Sequence, residues 1–221
     1  MTNVRSLSLD PEVSNAPAWH PTLFESGAPT PEPRFAGLQR RVLPPDAWVD
    51  HAPGWLGGSA QLFEQLRNGL GWAAHSVPMY GDLVDQPRLT AAWHGAEADA
   101  TTGPAIEAMR RALSGRYGVE FRSVGFNLYR DGNDSVAWHG DRIARDRAHA
   151  LVAIVSLGEP RPFRLRPTGG GPSIAFALGS GDLLVMGGSC QRTWQHTVPK
   201  VRRAGPRISV TFRHEMRAGR A

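Results

Sequence analysis

The sequence predicts an α+β chain that is mainly β, a double-sheet barrel or jelly roll in its second half with two helices backing it. Three observations predict this. Eight short runs of strand-forming residues follow Tyr117, each bounded by Gly, Pro or other turn residues. Two stretches upstream carry apolar residues at helical spacing. The 25 Gly and 18 Pro in 221 residues exceed what a helical bundle uses.

Taken in order, residues 1 to 38 are rich in Pro and small polar residues (NAPAWHP, GAPTPEPR), a composition that resists regular structure. SAQLFEQLRNGLGW then places Leu62, Phe63, Leu66 and Leu70 on one helical face, with Ser59 as N-cap and Gly71 near the stop. A second helix is expected from Pro104 to just before Gly115. The strand segments are VEFRSVGFNLYR, SVAWHGD, ALVAIVSLG, PFRLRP, SIAFAL, DLLVMGG, TWQHTVP and RISVTFRH.

Composition narrows the class of function. A hydrophobic content of 41% fills one core, so two large independent domains are not expected. The net charge of +5 suits a polyanionic partner, although many basic proteins bind none. Cys190 is the single cysteine, which excludes an intrachain disulfide and a Cys-based zinc site. The N-terminus lacks the apolar core of a signal peptide, and no run reaches the length of a membrane span. A cytoplasmic, monomeric protein without membrane contact is the expectation.

In VAWHGDR, His139 and Asp141 lie two residues apart, so on a strand both side chains face one way and can share an ion. With 8 His and 11 Asp in the chain, about 0.4 such pairs arise by chance, so the pair alone decides little. His196 in TWQHTVP, 57 residues beyond His139, is the candidate third ligand. Read by itself it is equally a hydrogen-bonded histidine on an edge strand. Two imidazoles and one carboxylate leave one face of an iron(II) ion open for a co-substrate and dioxygen.

PRISVTFRH alternates cleanly, with Arg207, Ser209, Thr211 and Arg213 on one face and Ile208, Val210 and Phe212 on the other. Six residues of strand span about 20 Å, and two inward-leaning guanidinium groups then leave a gap of roughly five carbons. On its own such a face is as well explained by solvation. Following the metal motif, it suits a dicarboxylate such as 2-oxoglutarate.

With these residues in place, the segment from Asn127 to Phe212 resembles the AlkB family of iron(II)/2-oxoglutarate dioxygenases, which remove alkyl lesions from nucleic-acid bases. FNLYRDGNDSVAWHGD is similar to the family's Asn-x-Tyr followed by HxD. SLGEPRPFRLRP is similar to the strand and turn after it, and GDLLVMGG with QRTWQH to the approach to the distal histidine. PRISVTFR is similar to the closing arginine-bearing strand. Upstream, MYGDLVDQPRLTAAWHG is similar to the variable nucleotide-recognition lid.

The resemblance implies a double-stranded β-helix with Fe(II), 2-oxoglutarate and O2 as cofactor and co-substrates. It implies that His139, Asp141 and His196 bind iron, and that Arg207, helped by Tyr129, pairs with the distal carboxylate of 2-oxoglutarate. Ser209 stands where some members use an amide, and Arg213 and Asn127 address the end that chelates the metal. Tyr80, Arg88, Trp93, His94 and Arg142 are candidates for contact with the base or its phosphates. The basic groups Lys200, Arg202, Arg203 and Arg207, and Arg142, Arg145 and Arg147, are candidate phosphate contacts. Ile143 departs from the pattern, because members commonly place an acidic residue there. The implied division is an extension over 1–38, helical support and lid over 39–116, the jelly-roll core over 117–216 and a tail over 217–221.

The implied activity is oxidative dealkylation of N-alkylated bases in single- or double-stranded DNA, or in RNA. 2-Oxoglutarate decarboxylation is coupled to hydroxylation of the alkyl carbon and release of an aldehyde. Two readings compete with it: a 2-oxoglutarate-dependent hydroxylase of a protein or small molecule, and a non-catalytic nucleic-acid-binding barrel.

Overall fold

The computed structural model describes residues 4–6, 27–79, 82–93, 95, 100–141 and 150–214. In chain order the elements up to the second helix are β1 (Val4–Ser6), β2 (Thr30–Pro31), β3 (Gln39–Leu43), β4 (Ala47–Ala52), β5 (Leu56–Gly57), α1 (Ser59–Gly69), β6 (Ala73–Met79), β7 (Asp82–Ala92) and α2 (Gly103–Tyr117). There follow β8 (Phe121–Tyr129), β9 (Val136–His139), β10 (Val152–Gly158), β11 (Arg161–Pro167), β12 (Ile174–Leu178), β13 (Leu183–Gly188), α3 (Cys190–Thr193), β14 (Trp194–Val198) and β15 (Arg207–His214). The eight strands expected after Tyr117 are β8 to β15.

Among the described residues the strands form a nine-stranded sheet in the order β1-β6-β7-β8-β15-β10-β13-β4-β3 and a four-stranded sheet in the order β12-β11-β14-β9. The small sheet faces the large one, making a jelly-roll core, and both helices cover the large sheet's other side. The side-chain period of two explains how one strand serves both layers. On β10, Ala153, Val155 and Leu157 pack in the core beneath the helices, while Val152 and Ile154 pack between the sheets. On β13, Leu183 and Val185 likewise oppose Leu184 and Met186. Strands covered on both faces read as continuous apolar runs, as VAIVSLG and DLLVM do.

Leu62, Phe63 and Leu66 of α1 and Ile106, Met109 and Leu113 of α2 are fully buried on the helical side. Two helix boundaries differ from expectation. Gly58, at φ 65°, caps α1, and Ser59 is the first helical residue, its Oγ 2.8 Å from Ser180 Oγ. A Cβ on Gly58 would overlap the backbone of Gly27 and Ala28, so only glycine makes that turn. Helix α2 runs past Gly115 to Tyr117, because Gly118 at φ 64° supplies the left-handed stop.

Strands also appear where none was expected. β1 and β2 lie within the stretch read as irregular, and β3, β4, β6 and β7 build much of the large sheet from a stretch read as helical support and lid. Residues 1–3 and 7–26 of the N-terminal extension and the 217–221 tail lie outside the described residues. Among the described residues no helix is long and apolar enough to cross a membrane.

Candidate functional site

Between the two sheets lies a cleft lined mostly by polar side chains. The small sheet contributes Val136 and His139 from β9, Phe163 from β11, and His196 and Val198 from β14, with Asp141 just past β9. The large sheet contributes Arg88 from β7, Asn127 and Tyr129 from β8, Ile154 from β10, and Arg207, Ser209, Thr211 and Arg213 from β15. The polar face of β15 therefore looks inward, while Ile208, Val210 and Phe212 are fully buried on the helical side.

Register brings the two histidines together, since His139 is the direct partner of His196 across the antiparallel β9–β14 pair. Their ring centroids are 4.2 Å apart, and Phe163 stacks on His196 at 5.3 Å. His139 Nδ1 lies 2.8 Å from the Ala137 carbonyl oxygen. A carbonyl only accepts, so Nδ1 is the donor, which directs Nε2 to the role of metal ligand. Burial, then the neighbouring His139, pushes the His196 imidazole down to about 3, leaving it neutral.

Burial alone would raise the Asp141 carboxyl, but the charge and hydrogen bond of Arg213 hold the group below the usual carboxylate range. Arg213 donates to Asp141 Oδ1 from Nε at 2.9 Å and Nη2 at 2.8 Å. Asp141 Oδ2 faces His196 Nε2 at 3.8 Å. Among the described residues no three His, Cys, Asp or Glu side chains stand preassembled as a metal site. His139, Asp141 and His196 are neighbours on one wall of the cleft, two imidazoles and one ionised carboxylate, and that donor set fits iron(II).

Deeper in, Arg207 is 1% exposed. Its Nε donates to Ser156 Oγ at 2.8 Å, while Nη1 is buried without a partner among the described residues. Burial pushes the guanidinium down to about 10, still protonated at neutral pH. An unsatisfied donor on a buried cation is costly, and the carboxylate of a small diacid would satisfy it. Tyr129 stands between two guanidinium groups, its ring 5.3 Å from that of Arg207 and 5.8 Å from that of Arg161. Ser209 Oγ and Thr211 Oγ1 are 3.3 Å apart along the same face.

The candidate base and phosphate contacts are distributed differently from the sequence reading. Arg88 reaches into the cleft, where its Nε donates to Asn127 Oδ1 at 3.0 Å. Trp93 is partly buried against the helical-side core and is not among the residues that line the cleft. Arg207 is buried and is no part of an exposed basic cluster, whereas Lys200, Arg202 and Arg203 are exposed. Tyr80, His94, Arg142, Ile143, Arg145 and Arg147 lie outside the described residues.

Two residues of consequence carried no signal in the sequence. Gln191 Oε1 accepts the Asp141 backbone N–H at 2.9 Å. Arg161, also 1% exposed, donates to the carbonyls of Asp131, Asp134 and Pro199 at 2.8 to 2.9 Å, pinning two loops beside Tyr129. Cys190 is buried, and burial pushes its thiol up to about 12, far from thiolate chemistry.

Residues 59–213 match the family model of the 2OG-Fe(II) oxygenase superfamily. The alpha-ketoglutarate-dependent dioxygenase alkB homolog 3 of Bos taurus is 32% identical over 197 residues, covering 80% of this chain and 66% of the relative. Its Homo sapiens counterpart is 31% identical over 172 residues, covering 69% and 60%. The DNA oxidative demethylase ALKBH2 of Arabidopsis thaliana is 30% identical over 190 residues, covering 69% and 60%. The chain thus spans between 60% and 66% of the length of these relatives. Among solved structures, a prolyl hydroxylase from Trichoplax adhaerens, in complex with a hypoxia inducible factor peptide fragment, superposes with a TM-score of 0.54 at 13% identity. It covers 75% of this chain and 82% of that one, a likeness of fold.

Proposed function

Because the chain belongs to the 2OG-Fe(II) oxygenase superfamily, and within it to the AlkB family, we propose that it dealkylates N-alkylated bases in DNA, with RNA a further substrate. One observation carries the enzymatic part. A single cleft holds the His139, Asp141 and His196 donor set together with a buried Arg207 guanidinium whose Nη1 has no partner among the described residues.

His139, Asp141 and His196 hold Fe(II), Arg207 takes the distal carboxylate of 2-oxoglutarate, and Asn127 lies toward the chelating end. When bound, iron would activate dioxygen, the oxidant, one atom of which goes to succinate as 2-oxoglutarate loses carbon dioxide and the other to a hydroxyl group on the alkyl carbon. Arg213 fixes one carboxylate oxygen of Asp141 and leaves the other for the metal. Ile154, Phe163, Val136 and Val198 keep that end of the cleft apolar, which strengthens every charge interaction inside it. The hydroxymethylated base then releases aldehyde without further help from the chain.

The nucleic-acid substrate is supported by the relatives that carry the name DNA oxidative demethylase, by the net charge of +5, and by exposed Lys200, Arg202 and Arg203 just beyond the cleft residue Val198. Ile143, in place of an acidic residue, favours a second reading, hydroxylation of a protein or small molecule. Incubation with Fe(II), 2-oxoglutarate and a methylated oligonucleotide separates them. The proposal expects succinate and lesion-dependent formaldehyde. Succinate that depends on a protein or metabolite instead would favour the second reading, and no succinate at all would sink both.

A further inference from the structure

The segment Trp138 to Asp141 carries two of the three candidate ligands on weak support from the sheet. Strand β9 has four residues, lies at the edge of the small sheet, and pairs with β14 only at His139–His196 and Val136–Val198, with a register shift between. Such a short, irregular ladder does not by itself fix a side chain to a few tenths of an ångström.

Two side chains from other elements grip the segment. From the α3 side, Gln191, 5% exposed, accepts the Asp141 N–H through Oε1 at 2.9 Å and donates through Nε2 to Met186 Sδ at 3.5 Å. Its backbone also sets the turn, since a Cβ on Gly140 would stand 2.6 Å from the Gln191 carbonyl oxygen. From the outer face, Arg166 of β11 lays its guanidinium 4.3 Å from the Trp138 ring centroid and donates through Nη2 to Gln195 Oε1 at 3.3 Å. Trp138 precedes His139 and Gln195 precedes His196, so one guanidinium spans the neighbours of both histidines.

We propose that Gln191 and Arg166 are positioning residues that set how tightly His139 and Asp141 hold the metal, an inference resting on the iron site proposed above. Neither touches the ion. Each acts by holding backbone that presents a ligand, and loss of such outer partners typically weakens metal binding by about tenfold to a hundredfold.

The test is a titration of the full metal-free chain with Mn(II), a probe that binds oxygen and nitrogen donors without redox chemistry, following the free-ion paramagnetic resonance signal. Thermal melting of each metal-free variant is measured alongside. Gln191→Leu and Arg166→Met are expected to raise the Kd about tenfold or more while melting stays cooperative, and Gln191→Glu, which keeps an acceptor oxygen, to stay within about threefold of wild type. If Gln191→Leu does not fold, Gln191→Asn, whose amide is one methylene short, provides the same reading. Unchanged Kd in the Gln191 and Arg166 variants would overturn the proposal. Equal loss in Gln191→Leu and Gln191→Glu would overturn the hydrogen-bond role. A wild type that binds Mn(II) no better than Asp141→Ala would instead overturn the iron site itself.

Discussion

His139 lies directly opposite His196 in the β9–β14 ladder, so a pair 57 residues apart in sequence shares one rung of sheet with ring centroids 4.2 Å apart. The third candidate ligand, Asp141, enters the same wall because the chain turns at Gly140 against Gln191. The facing wall is the polar side of β15, which ends at Arg207 in the interior.

Arg207→Lys is expected to raise the KM for 2-oxoglutarate by about tenfold to a hundredfold, with a much smaller effect on kcat, because a lysine cannot replace the fork that holds both Ser156 and a carboxylate. Steady-state succinate formation at varied 2-oxoglutarate checks this. An unchanged KM would place the diacid elsewhere.

Arg161→Met removes a buried cation that bonds three carbonyls and takes that donor from each of them. The expected loss of stability is about 3 kcal/mol. Urea unfolding followed by circular dichroism gives the number, and a loss below about 1 kcal/mol would mean that water replaces the guanidinium.

Asp182 makes stability depend on pH. Burial would raise its carboxyl, but a hydrogen bond from His51 and two backbone N–H donors, Gly54 and Gly179 at 2.8 Å each, hold it below the usual range. A lowered folded-state pKa gives stability that is complete above the unfolded value of about 3.9 and is lost as pH falls through the folded value. Thermal melting is therefore expected to fall more steeply below about pH 4 in wild type than in Asp182→Asn. Parallel curves for the two would contradict this.

What could be read from the sequence was whatever depends on local period. The alternation of RISVTFRH gave both faces of β15 correctly, and the spacing of His139 and Asp141 gave their shared side. Pairing between distant strands leaves no local trace, so His196 opposite His139 rested on resemblance. β4 was missed because Asp50 and His51 interrupt the apolar residues of AWVDHA, yet Asp50 is buried there, neutralised by Arg40 at 2.6 Å and bonded by Tyr117 at 2.9 Å. Arg161 and Gln191 were missed for the related reason that a cation or an amide in a strand-rich sequence reads as a solvated residue until its partners are known. Trp93 is ambiguous in the same way, since an aromatic beside a polar loop can serve core or surface, and it packs in part against the core.

The central claim is tested most directly by product mass on a panel of N-alkylated oligonucleotides, methyl and etheno, single- and double-stranded, DNA and RNA, with Fe(II) and 2-oxoglutarate. The account predicts loss of the alkyl group from at least one member, with aldehyde and succinate formed in step and both abolished by Asp141→Ala. Succinate formation with every oligonucleotide left unaltered would contradict it.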